Sequence, residues 1–168
     1  MICANGIDIA TPMLWVALVM GLLIGSFLTV VIDRVPRGAS VVQPGSACGS
    51  CGLELGPLDL VPVMSWLALR GKCRKCRQPI GIEPIIVEIV TATLFVLMAI
   101  HFERSVLVAA FCVFAAGLTG LTVIDLKTQR LPREVSYTVM ALGAPLLVIA
   151  ALIDNEPRRI YMALIGAT

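Results

Sequence analysis

The sequence predicts an all-α polytopic membrane protein that carries a small zinc-ribbon-like four-cysteine domain. Three observations predict it. First, 58% of the 168 residues are hydrophobic and 14% are charged, whereas soluble domains run at about 45–50% apolar and about 25% charged. The mean hydropathy is +0.95. A soluble core of this length cannot hide that much apolar surface, so lipid is the expected solvent. Second, the apolar residues fall into long uncharged runs. Third, four of the six cysteines form two close pairs, Cys48/Cys51 and Cys73/Cys76, while Cys3 and Cys112 stand alone.

Residues 1–12 read as an extracytoplasmic N-terminus. They contain Asp8 and no basic stretch, so no cleavable signal peptide is evident. Residues 13–32 form the first span, twenty residues without a charge, enough to cross a hydrocarbon core of about 30 Å. Thr11-Pro12 reads as its cap and first turn. Gly21 and Gly25 inside it make a G-x-x-x-G spacing, which serves close helix packing or dimerisation.

Residues 33–83 form the cysteine domain, where Pro57, Pro62 and Pro79 break any long helix. Val61–Leu69 reads as a short amphipathic segment at the membrane surface with Trp66 as an interfacial anchor. The second span covers 84–102 and holds one charge, Glu88; the third covers 106–124; a loop with Asp125 covers 125–136; the fourth span covers 137–153. Residues 160–168 begin a further apolar stretch.

Loop charges set the orientation. Arg34, Arg37, Arg70, Lys72, Arg74, Lys75 and Arg77 lie in the first loop, and Lys127, Arg130 and Arg133 in the third, ten of the thirteen basic residues on one side. The N-terminus is therefore expected outside a cytoplasmic (inner) membrane, and the cysteine domain and the Asp125 loop in the cytoplasm.

The cysteine pattern is C-x2-C, a gap of 21 residues, then C-x2-C. Two such knuckles close an all-thiolate tetrahedron on Zn2+. With every ligand position filled, the ion is structural. Two disulfides are the rival reading, disfavoured in a reducing compartment. A nucleic-acid-binding ribbon is disfavoured because the domain is tethered to spans at both ends, so no nucleic acid is expected as a partner.

Several ordered motifs resemble one family. Gly25-Ser26-Phe27-Leu28-Thr29-Val30-Val31 leading to Arg34-Val35-Pro36 resembles the start of type IV prepilin peptidases. The cysteine pairs and Pro62–Cys73 resemble their cytoplasmic domain, Pro84–Phe95 with Glu88 their next segment, and Asp125 followed by Leu131-Pro132 their first catalytic aspartate motif. The resemblance implies an aspartic endopeptidase of the cytoplasmic membrane. It would cut the leader from prepilins or pseudopilins, and in many members methylate the new N-terminus with S-adenosylmethionine. It implies that Asp125 is catalytic. Thr29 and Arg133 stand where the family commonly has Asn, and Glu83 where it has a basic residue.

Aspartic protease chemistry needs a second carboxylate, and the family's G-x-G-D motif does not occur in these residues. A partial sequence, completion by another chain, or a member without protease activity would each account for that. In the last case the chain is a membrane protein that binds pilin or assembly partners through a structural zinc domain. Asp33 is a weak second partner for Asp125. Glu88, a carboxylate within a span, is an accessory candidate by its position alone. No glycine-rich fingerprint marks an S-adenosylmethionine site.

Overall fold

A computed structural model of the chain describes residues 7–102, 105–129 and 132–153. The architecture is all-helical. Helix α1 spans Ile7–Arg34, α2 Met64–Ala68, α3 Glu83–His101, α4 Ser105–Thr128 and α5 Arg133–Ile153, with short 3-10 turns at Val35–Arg37 and Pro57–Leu60. Among the described residues, α1, α3, α4 and α5 are each long and apolar enough to cross a membrane. Many of their large side chains are exposed, Trp15, Phe27, Ile86, Phe114 and Met140 among them, as expected of helices whose outer faces meet lipid.

Three helix limits differ from the sequence reading, the last being that of α5, which begins at Arg133 and not at Tyr137. Helix α1 begins at Ile7 and runs across Pro12. Proline there gives up a single i→i−4 bond close to a helix end, and the ladder resumes beyond it. Helix α4 continues to Thr128, so Asp125 lies in its last turn and not in a loop. The Asp125 carbonyl accepts the Gln129 amide at 2.8 Å, extending the helical bonding past the end of the apolar run. Residues 160–168, Asp154 and Glu156 lie outside the described residues.

Helix α1 packs most closely on α3, and α4 on α5. The reason is written in α1. A Cβ on Gly21 would lie 2.5 Å from the Ala92 Cα, and one on Gly25 would lie 2.7 Å from the Glu88 Cα. The glycine pair is thus a contact between two helices of one chain, where removing side chains lets backbones touch. Gly21→Leu is expected to destabilise the protein by about 3 kcal/mol, because the obstacle is backbone and cannot rotate away. Unfolding in mixed micelles checks this.

The core gathers Leu28 and Ile32 of α1, Val87 and Phe95 of α3, and Ile124 of α4. Buried hydroxyls are satisfied within their own helices. Thr91 donates to the Val87 carbonyl at 2.7 Å and Thr119 to that of Ala115 at 2.9 Å, as an apolar interior demands. Phe102 stacks on Phe111 with ring centroids 4.3 Å apart across the α3–α4 connection, and His101 packs edge-on against Phe102. An apolar cleft of about 690 Å³ opens between α1, α4 and α5.

Candidate metal centre and neighbouring carboxylates

Each cysteine pair sits in a tight loop closed by backbone bonds. In the first, the Cys48 amide donates to Leu53 O at 2.8 Å and the Gly52 amide to Cys48 O at 2.9 Å. In the second, the Cys73 amide donates to Gln78 O at 2.8 Å and the Arg77 amide to Cys73 O at 3.0 Å. The two knuckles repeat one conformation. The residue after the second cysteine has positive φ in both, 68° at Gly52 and 60° at Arg77. Glycine advertises that turn; arginine does not.

The loops bring all four sulfurs within 4.8 Å of one another. Cys48 and Cys76 are 3.8 Å apart and Cys51 and Cys73 3.9 Å. A tetrahedron with zinc–sulfur bonds of about 2.3 Å has edges of about 3.8 Å, while a disulfide needs about 2.05 Å. The cluster has metal-binding dimensions and suits zinc.

The chemistry of the donors agrees. The amides of Ser50 and Cys51 directed at the Cys48 sulfur, with further help from Cys73, lower its thiol to about 6. Amides of Cys76 and Lys75 lower Cys73. At Cys76 the Gln78 amide also lowers the thiol, but burial and the three other sulfurs outweigh it and raise the group to about 11. Backbone amides thus favour the thiolate at Cys48 and Cys73, and a bound cation would favour it at Cys76.

The domain also lacks a core of its own. Between residues 35 and 82, Gly71 and Cys73 alone are buried. A fold of this size without apolar interior needs a staple, and the four sulfurs occupy the place where it would sit. Trp66 packs inward on Gly71, where an added Cβ would meet its ring at 2.7 Å. Arg74 is paired with Asp59 at 2.6 Å.

Two polar contacts bind the domain to the helices. Arg34, at the end of α1, donates to the carbonyls of Ser40 at 2.9 Å and Gly45 at 3.1 Å. Glu88 is 6% exposed and accepts the Val63 amide at 2.7 Å. Val63 has φ 58° and ψ −48°, and the Met64 amide bonds to Pro62 O. That is a γ-turn of the rare, strained hand, on a β-branched residue. A hydrogen bond contributes about 0.5–1.5 kcal/mol, which offsets part of a backbone strain of about 1–3 kcal/mol. Sequence reasoning singled out Glu88 as a carboxylate within an apolar run but had no signal for its partner.

Asp125 is exposed at the end of α4. Its neighbour Lys127 pairs with Glu83 at 2.5 Å, which sets the end of α4 beside the start of α3. The cysteine domain and Asp125 therefore share one end of the bundle. Asp33, the weak candidate partner, turns its carboxylate to Arg37. The acid at Glu83 thus has a defined cationic partner.

The profile of the bacterial peptidase A24 N-terminal domain matches residues 19–102, half of the chain. The chain belongs to the bacterial peptidase A24 N-terminal domain family. The matched A24 region contains all four clustered cysteines and Glu88; Asp125 lies beyond it. Among curated relatives, the chain is 39% identical over 128 residues to the prepilin leader peptidase/N-methyltransferase of Myxococcus xanthus (strain DK1622), covering 76% of this chain and 38% of that protein. It is 33% identical over 151 residues to the protein of the same name from Neisseria gonorrhoeae, covering 76% and 53%. It is 33% identical over 175 residues to the type 4 prepilin-like proteins leader peptide-processing enzyme of Escherichia coli O78:H11 (strain H10407 / ETEC), covering 94% and 63%. The chain thus spans less than two thirds of each of these three relatives. No solved structure matches it significantly.

Proposed function

We propose that the protein is an aspartic endopeptidase of the cytoplasmic (inner) membrane that removes the leader of type IV prepilins or pseudopilins at the cytoplasmic face. The observation that carries this reading is the 30–39% identity to relatives named as prepilin leader peptidases or a leader peptide-processing enzyme. The geometry supports it. Asp125 is solvent-facing at the bundle end from which the cysteine domain projects, and the loops of that end hold most of the basic residues, as cytoplasmic loops do.

In this role Asp125 is one of two carboxylates sharing a proton. One activates water while the other protonates or polarises the scissile carbonyl. Asp33, Glu83 and Glu88 each have another partner, and no residue is assigned as the second group. Cys48, Cys51, Cys73 and Cys76 hold a structural zinc. Four thiolate ligands leave no open position for water, so the ion supplies rigidity and not hydrolysis. Methylation with S-adenosylmethionine has its support in the relatives' names, and no residue is assigned to it.

Membrane vesicles of opposite orientation test the sidedness. Prepilin added to inverted vesicles containing the native protein is expected to lose its leader, while right-side-out vesicles leave it intact. Processing from the outer face alone, or none in either preparation, contradicts the proposal.

A further inference from the structure

The cysteine domain exposes an unusual density of large apolar side chains. Leu58 is 74% exposed, Leu60 45%, Val61 41%, Met64 64% and Leu67 57%, all within ten residues. Singly such residues are ordinary; clustered, they mark an interaction surface.

The bond between Val63 and Glu88 fixes where this surface lies. Glu88 is five residues into α3, which starts at Glu83, so its Cα is about 7–8 Å along the helix from that start. The Glu83–Lys127 ion pair, both side chains more than 40% exposed, marks the polar boundary at that end. The Val63–Glu88 bond therefore holds the Pro62–Val63 turn against the first turns of α3, at the end of the bundle where that boundary lies, and amphipathic segments at such a boundary bury their apolar faces by about 5–10 Å. Arg70, Lys72, Lys75 and Arg77, all exposed, follow directly in sequence. The apolar stretch thus has a basic flank that complements anionic lipid in charge.

We propose that Leu58–Leu67 is an interfacial insertion into the leaflet on the cysteine-domain side, with Leu58, Leu60, Val61, Met64 and Leu67 among acyl chains and the following basic residues on anionic headgroups. Trp66 is not the anchor, since its ring faces Gly71. Glu88 is the positioning residue that holds the turn against α3. The proposal rests on the reading of the four helices as membrane spans and does not depend on leader cleavage.

Photo-crosslinking tests it. A benzophenone amino acid is placed at Met64, at Leu67, or at the exposed, charged Glu54 as control, in the full-length protein in phosphatidylcholine/phosphatidylglycerol vesicles. Phospholipid adducts are expected at both apolar sites at about ten times the yield at Glu54 or more, with phosphatidylglycerol over-represented. Adducts to another protein chain in place of lipid, or yields equal to the control, overturn the proposal. Leu58 provides a third site if either substitution disturbs the domain, and wild-type resistance to trypsin identifies the folded variants. A second substitution, Glu88→Ala, is expected to halve the lipid yield or worse while metal content stays unchanged; an unchanged yield removes Glu88 from the account.

Discussion

The Cys73→Ser protein is expected to retain less than about a tenth of an equivalent of zinc, against about one for wild type, because an open structural site loses most of its binding free energy of about 10–16 kcal/mol. Cys73 is 3% exposed and lies 3.9 Å from Cys51, so a shorter, harder oxygen there can neither reach nor suit the ion equally well. The loss spreads through the domain because residues 35–82 bury almost nothing else. Trypsin should then cut at Arg70–Arg77 at least about ten times faster. The four long helices, which pack chiefly on one another, should keep their helical circular dichroism. Elemental analysis and timed proteolysis read both effects; a full complement of zinc in the variant would exclude Cys73 as a ligand.

Asp125→Asn is expected to reduce leader removal by at least about 100-fold, the scale of a lost acid–base group. Asparagine keeps the shape and cannot exchange the proton. The carboxylate is exposed at the end of the helix, where the residue's backbone carbonyl accepts the Gln129 amide. Stability should therefore change by about 0.5 kcal/mol or less. The contrast with Cys73→Ser is diagnostic: one variant loses metal through a collapsed domain, the other loses chemistry with the metal in place.

The elements that were legible in the sequence are those whose cause is local. Uncharged runs announce α1, α3, α4 and α5, since lipid forces each span to satisfy its own backbone. The paired cysteines announce the metal-sized cluster, because C-x2-C is itself the turn that aims two sulfurs inward. Long-range causes were not legible. Nothing near Val63 states that its amide meets a carboxylate twenty-five residues later, and a valine gives no warning of positive φ. Arg77 hides the turn that Gly52 displays. The Gly21–Gly25 spacing signalled close approach correctly but could not name α3 as the neighbour. Lys127 crosses to Glu83, because the adjacent helix start offers an acid that the α4 sequence alone does not reveal.

The account turns on a division of labour between a closed sulfur site and an exposed aspartate. The most direct measurement is the N-terminal mass of pilin recovered after exposure to full-length Asp125→Asn protein in vesicles, with zinc measured in the same preparation. The account predicts pilin with its leader intact and about one zinc per chain, beside wild-type protein that yields leaderless pilin. Leaderless pilin from the zinc-replete variant would contradict it.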